Sequence, residues 1–346
     1  MPSAAKAVPR QVVLTADDFG LSVAVNEAVE RAHTEGILGA ASLMVGGEAA
    51  EDAVARARHL PELRVGLHLV LVEGPAVLSR EEIPDLVDER GWFPSDQFRL
   101  GLRYFFSRSV RRQLAREIHA QFARFAATGL TLEHADAHKH MQLHPTVGRL
   151  MIAIGRQFGL AAVRVPSEPP RALAAAGGDV SLAARAISYW SERFRRQVRE
   201  AGMTAPDSVF GIAWSGRMTA ERVKTLAPHL PPGLTELYFH PAARRDALLA
   251  ELMPLYQPEA ELAALIDPMV ALALVSVAEI LPGYGGSTST AGGARPVSGS
   301  PGGPCSTSPC STSPGGPCST SPGSTSPGGG AGAGEAGGLT GTGTRI

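Results

Sequence analysis

Short runs of apolar, β-favouring residues alternate along this chain with longer stretches whose apolar residues recur every three to four positions. Residues 12–14, 41–45, 63–71, 131–135, 162–165, 208–213 and 234–239 read as strands. Helical spacing covers 21–35, 48–58, 110–127, 145–158, 220–226, 258–265 and 270–277, and a short strand closes the series at 279–281. In the first helix Leu21, Val25, Ala28, Val29 and Ala32 fall on one face. Repeated strand–helix units of this kind predict a parallel sheet with helices outside it. Residues 10–284 suit one (β/α) TIM-like barrel, an α/β single domain, better than two domains. Residues 72–109 break the pattern with Pro75, Pro84, Trp92, Pro94 and Phe98. They are expected to form an irregular excursion over the barrel mouth, a candidate lid.

Composition changes abruptly after Tyr284. Residues 285–346 are mostly Gly, Pro, Ser, Thr and Ala, and the octapeptide Gly-Gly-Pro-Cys-Ser-Thr-Ser-Pro occurs at 302–309 and again at 315–322. Such a segment buries too little apolar surface to offset its ordering entropy, so a disordered C-terminal tail is expected. All three cysteines, Cys305, Cys310 and Cys318, fall in it, without the histidines or second pair that a zinc site would need. The whole chain is 44% hydrophobic with a formal net charge of -1, which gives no support for a nucleic-acid partner. Residues 1–10 lack the apolar core of a signal peptide, and the longest apolar run, 269–278, is too short to span a bilayer. The expectation is a cytoplasmic protein, with peripheral contact at the inner face of a membrane left open.

The chemistry gathers at strand ends. The first strand runs into Asp17 and Asp18, and Gly20 then breaks the run. A lone Asp-Asp pair is more often a turn or helix cap than a site. The histidines change that balance. His134, His138, His140 and His144 crowd into eleven residues together with Asp136. His68 ends a third apolar run, and His240 ends a fourth. In a barrel such ends converge on one mouth. Imidazoles and carboxylates are the usual ligands of zinc-like metals. One aspartate can join two histidines as third ligand and leave a position for water. The other can serve as general base, and a further histidine can protonate a leaving group. That equipment suits hydrolysis of an amide or ester. If the segment after His134 stays extended, His134, His138 and His140 face one way; if it turns, only some reach the metal. His33, His59, His119 and His229 read as solvated helix residues, and His144 as a helix start. Trp214 suits sugar stacking or plain core equally. Arg164 could orient Asp17 or neutralise the mouth.

Those residues carry a likeness. Thr-Ala-Asp17-Asp18-Phe-Gly, Gly66-Leu-His68, Asp136-Ala-His138-Lys-His140 and Phe239-His240-Pro241, in that order, resemble the YdjC-like carbohydrate deacetylases, which include chitooligosaccharide deacetylase. The stretches 26–33, 41–44 and 66–74 resemble most the subgroup associated with hopanoid biosynthesis. The resemblance implies a distorted barrel and a divalent metal, Mg2+, on Asp18, His68 and His138; the ligand types alone suit Zn2+. It implies Asp17 as base, His240 as acid, and a homodimer. The implied substrate is an N-acetylated sugar, on the subgroup likeness a glycolipid: an N-acetylglucosamine carried by a hopanoid. His140 then belongs, with Trp214 and Arg164, among candidate substrate contacts. Lys139 and Gln142 depart from the chitooligosaccharide pattern, which bears on substrate contacts, and the tail has no family counterpart. Alternatives are a chitooligosaccharide deacetylase, a metal-dependent phosphoesterase, and a carbohydrate- or metal-binding protein without activity. The absence of a Gly-rich phosphate cradle weighs against the second, and a carboxylate beside the proposed ligands weighs against the third.

Overall fold

The computed structural model describes residues 8–179 and 182–285, and only the backbone of 182–187. The repetitive tail, from 286 on, lies outside the described residues, as do residues 1–7.

Strand β1 (Arg10–Phe19) is the axis of the sheet and is buried from Val12 onward. A run apolar on both faces is what a central parallel strand requires. Helix α1 (Val23–Thr34) starts at Ser22, whose side chain accepts from Val25 N, and buries Ala24, Val25, Ala28, Val29 and Ala32. β2 (Ala40–Leu43), α2 (Ala50–His59) and β3 (Arg64–Leu69) follow. Next come two short antiparallel strands, β4 (Gly74–Pro75) and β5 (Trp92–Phe93), then α3 (Gln97–Phe106) and α4 (Arg108–Ala127). β6 (Ala135–Ala137) leads through a 3-10 turn into α5 (Pro145–Gly155), α6 (Pro170–Ala175) and α7 (Leu182–Glu200). β7 (Ser208–Phe210), α8 (Ala220–Leu226), β8 (Gly233–Phe239), α9 (Ala247–Leu252), α10 (Pro258–Ile266), α11 (Pro268–Val275) and β9 (Glu279–Leu281) complete the order.

The main sheet runs β6-β3-β2-β1-β8-β7, with β9 also paired to β1, and all its pairings are parallel. The segment after α5 curls the sheet round. Ala135 N donates to Ala162 O and Arg164 N to Ala135 O on one side. Val163 N donates to Thr204 O, and Val209 N to Ser167 O, on the other. The result is the expected α/β barrel in distorted form.

Strand parity divides the interior. Val12, Leu14 and Ala16 face the helices in the large apolar core. Val13, Ala40 and Leu281, with Leu234 against them, form a small plug inside the sheet. Above that plug the inward positions turn polar: Thr15 and Asp17 on β1, Ser42 on β2, Glu236 and Tyr238 on β8. The register brings Val13 opposite Glu236, Thr15 opposite Tyr238, and His68 opposite Asp136.

Several expectations need correction. Residues 72–109 are not irregular throughout, since α3 occupies Gln97–Phe106, capped by Asp96. Its apolar residues lie on two faces, which hides the period of a single stripe. The strand expected at 131–135 starts only at Ala135, and that at 162–165 makes only isolated bridges. The strand expected at 208–213 stops at Phe210, because Gly211 adopts φ +130°. Helices α6, α7 and α9 went unread.

Candidate metal centre and active-site cleft

β1 ends in a forced turn. Asp18 has φ +62°, left-handed for a non-glycine residue, and the β1–β2 register shifts between Ala16 and Phe19. Successive strand residues point to opposite faces, so Asp17 and Asp18 can share a cleft only if the backbone turns between them. It does, at a cost of roughly 1–2 kcal/mol. Hydrogen bonds hold the turn: Leu21 N to Asp18 O at 2.9 Å, Met44 N to Phe19 O at 2.7 Å, and Gly20 N to the buried Asn26 Oδ1 at 2.8 Å.

Three side chains meet there. Asp18 Oδ1 lies 3.3 Å from His68 Nε2 and 3.3 Å from His138 Nδ1, and the two nitrogens are 3.4 Å apart. Donor atoms about 2.1 Å from one metal ion, at roughly tetrahedral angles, stand ~3.4 Å from one another. Both Asp18 oxygens are buried without a hydrogen-bonding partner among the described residues. A bare carboxylate beside two ring nitrogens is an arrangement that a cation completes. The residues present therefore fit a divalent metal.

A second set, Asp17, His68 and Asp136, is also close enough to hold an ion. A guanidinium already fills that space. Arg164 Nη1 contacts Asp17 Oδ2 at 2.6 Å and Asp136 Oδ2 at 2.5 Å, and Nη2 contacts Glu236 Oε1 at 2.7 Å. Arg164 is fully buried and joins these three carboxylates. Its two-pronged contact fixes the orientation of Asp17 and sets one positive charge among three carboxylates.

Behind the triad, Asp136 Oδ1 accepts from His68 Nδ1 at 2.8 Å, which leaves Nε2 free toward the centre. Ser42 Oγ donates to Asp136 Oδ2 at 3.0 Å and meets His134 Nε2 at 3.0 Å, and Glu133 takes His134 Nδ1 at 2.7 Å. Burial raises the Asp18 pKa, but the neighbouring imidazoles outweigh it and hold the carboxyl well below its ordinary value. Burial pulls His68 down, yet the charge of Asp136 and its hydrogen bond to the ring carry it well above its usual value.

His134 and His140 do not join the triad. The strand persists only through Ala137, and Lys139 and His140 take φ of +51° and +56°. His134 stays deeper, against Glu133 and Tyr284. His140 swings out to Tyr238, Nε2 to the hydroxyl at 3.0 Å. Burial, then the Arg164 charge, pushes its pKa down to about 3. His240 packs edge-on against Tyr238 and Tyr256, and burial lowers it as well. His240, His140 and Tyr256 line, with Asp17, His68 and His138, a cleft of about 60 Å³. Glu73 lines it too and pairs with Lys139. Trp214 is not on this wall; it is buried in the core, with Arg222 over its ring. His144 caps α5, and His33 is half-buried with Nδ1 2.8 Å from Leu38 O, whereas His59, His119 and His229 are exposed. Glu236, Tyr238 and Tyr256 were missed as parts of the site, and Asp136 was singled out only within the histidine cluster, without a role. The signal for three of them was parity: 134/136/138 and 236/238/240 alternate polar residues along otherwise apolar strands.

Beside the cleft lies a larger apolar groove of about 920 Å³. Phe98, Leu102, Phe105 and Phe106 of α3 and Trp190 of α7 wall it, and Lys139 and His140 border both cavities.

Comparison with known proteins agrees with this geometry. A carbohydrate deacetylase of Geobacillus stearothermophilus is 30% identical over 75% of this chain and 91% of that protein. One from Brevibacillus brevis is 38% identical over 46% of this chain and 59% of that protein, so the chain spans less than two thirds of that relative. A solved Enterococcus faecalis protein, proposed to cleave cellobiose phosphate, shares the fold with TM-score 0.64 and 22% identity over 80% of this chain and 98% of its own. The family model described as YdjC-like protein matches residues 11–275, and on that match the chain belongs to the YdjC-like family.

Proposed function

We propose that this protein is a metal-dependent carbohydrate N-deacetylase, a hydrolase of the acetamide on an N-acetylated sugar. One observation carries the reading. A buried Asp18–His68–His138 triad with a bare carboxylate stands next to a second carboxylate, Asp17, that it does not use. The curated relatives, named carbohydrate deacetylases, support it.

In this reading Asp18, His68 and His138 hold the ion. When bound, it polarises the acetyl carbonyl and makes water more acidic. Asp17 takes the proton from the attacking water. Arg164 keeps Asp17 aimed, and its two-pronged contact leaves the carboxylate little freedom to rotate. His240, its Nδ1 buried and unpartnered among the described residues, gives a proton to the departing sugar nitrogen. For the ion, the family likeness supports Mg2+, whereas two imidazoles and one carboxylate favour Zn2+. The domain assignment goes with it: residues 10–284 as the deacetylase barrel, 285–346 as an appended tail.

The acceptor is proposed to be a glycolipid, an N-acetylglucosamine on a hopanoid. The apolar groove bordering the cleft supports an extended apolar aglycone more than a second sugar ring. Among the described residues no helix is long and apolar enough to cross a membrane. Contact with such a substrate would be peripheral.

The test is acetate release from lipid-linked and from free N-acetylglucosamine, with metal-stripped protein reloaded with Mg2+ or Zn2+. Release that stops on stripping and returns on reloading is expected, with the lipid-linked form preferred. No release from any N-acetylated sugar would overturn the deacetylase reading. Equal efficiency on both forms, or preference for chitooligosaccharides, would overturn only the glycolipid part.

A further inference from the structure

Helix α3 carries two apolar rows. Leu100 and Tyr104 face inward and are buried, and Tyr104 donates to Leu71 O at 2.7 Å. Phe98, Leu102, Phe105 and Phe106, spaced i, i+4, i+7 and i+8, form a second row that is left bare. Phe98 is 78% and Phe106 73% exposed. Tyr189 and Trp190 of α7 are exposed too, and Trp190 shares the groove with Phe98. A contiguous bare patch of this kind marks an interaction surface.

Within α3 and the start of α4 the charge has one sign, with Asp96 at the α3 N-cap and Asp85 beside Arg103 as the acidic neighbours. Residues 97–112 contain Arg99, Arg103, Arg108, Arg111 and Arg112 and no acidic residue. Arg99, Arg108 and Arg112 form no ion pair among the described residues, and Arg103 reaches Asp85 only at 3.9 Å. Two copies of this face would bring their arginines together and repel. An anionic partner would be attracted, and exposed Phe and Trp beside arginine are the composition of helices that lie in a bilayer interface.

We propose that α3 and the start of α4 form a docking surface for an anionic lipid bilayer. The α3 helix lies in the interfacial plane, with Phe98 and Phe106 at the acyl boundary and the arginines among lipid phosphates. The groove then opens onto the bilayer, and a lipid-linked sugar reaches the cleft without leaving it. That last consequence, though not the docking itself, rests on the glycolipid reading above.

The test is sedimentation of the full chain with vesicles of phosphatidylcholine alone, and with vesicles about one-third phosphatidylglycerol. Binding to the anionic vesicles only is expected. Arg108→Glu with Arg112→Glu should weaken it by about tenfold or more, since each basic residue near such a surface matters by several-fold. Phe98→Ser with Phe106→Ser should weaken it at any salt concentration. Equal partition onto both vesicles, or undiminished binding by either variant, would overturn the proposal. So would absence of vesicle binding together with a dimer that Phe98→Ser/Phe106→Ser dissociates, which would assign the face to self-association. No turnover enters this test, so its failure leaves the deacetylase reading standing.

Discussion

Arg164 grips Asp17 with two parallel hydrogen bonds, Nη1 to Oδ2 at 2.6 Å and Nη2 to Oδ1 at 2.7 Å, where neither residue is more than 2% exposed. The same guanidinium holds Asp136 and Glu236. Arg164→Ala would therefore strand three buried carboxylates. A loss of about 3–5 kcal/mol in unfolding free energy is expected, the usual scale for removing one side of a buried pair. Arg164→Lys keeps the charge but not the fork. It should fold, and lose turnover by about tenfold or more, because Asp17 can then rotate. Urea unfolding and kcat for both variants check this; a stable Arg164→Ala would show that the carboxylates take up protons without penalty.

The adjacent aspartates should fail in different ways. Asp18 is proposed as a ligand and accepts no hydrogen bond among the described residues. Asp18→Asn should lower metal content per chain, with activity partly recovered at high metal concentration. Asp17→Asn should keep its metal and lose turnover by roughly 100-fold or more, the scale of general-base catalysis, with no rescue by metal. Metal analysis beside single-turnover rates separates the two. Loss of metal from the Asp17 variant and retention by the Asp18 variant would reverse the roles.

Gly66 is a strand glycine required by close approach. A Cβ there would meet the His134 ring at 2.5 Å. His134 cannot withdraw, since Glu133 and Ser42 hold its two nitrogens at 2.7 and 3.0 Å. Gly66→Ala should cost about 1–3 kcal/mol of stability, as overpacking does. A Tm equal to that of the parent chain would mean that the His134 ring moves freely.

Glu261 sets a pH dependence away from the metal centre. It is fully buried, and its carboxylate accepts from Met218 N at 2.6 Å and from His240 N. Burial pushes its pKa from 4.5 up to about 8, against the pull of those two donors. A folded value above the unfolded one favours the folded state at low pH. That contribution is complete below about 4.5 and is lost as pH rises through about 8. Glu261→Gln does not titrate. Relative to it, the parent chain should lose stability across that interval, and urea midpoints at the two ends will report it. Parallel pH profiles for the two chains would show that Glu261 is ionised throughout.

Much of the site was legible in the chain. Alternating strand and helix periods determined the α/β barrel, because burial on both faces and on one face leave different spacings of apolar residues. Histidine and aspartate at the ends of β1, β3, β6 and β8 pointed to one mouth, because parallel strands bring their carboxyl ends together. The need for a turn between Asp17 and Asp18 followed from strand parity alone. Helix α3 escaped because its two apolar rows, one buried and one bare, blur the single stripe by which a helix is recognised.

Only the tertiary structure decided how those residues divide. His134, His138 and His140 are equivalent in sequence, but left-handed Lys139 and His140 end the strand and send three imidazoles to three places. Arg164 sits in a segment that makes only isolated bridges, so no local pattern announced that its guanidinium would join carboxylates from β1, β6 and β8. Trp214 read equally as platform or core until packing put it away from the cleft. Local sequence records which residues want burial and which carry chemistry. Which of them meet is set by long-range register and strand closure, and these depend on the whole sheet at once.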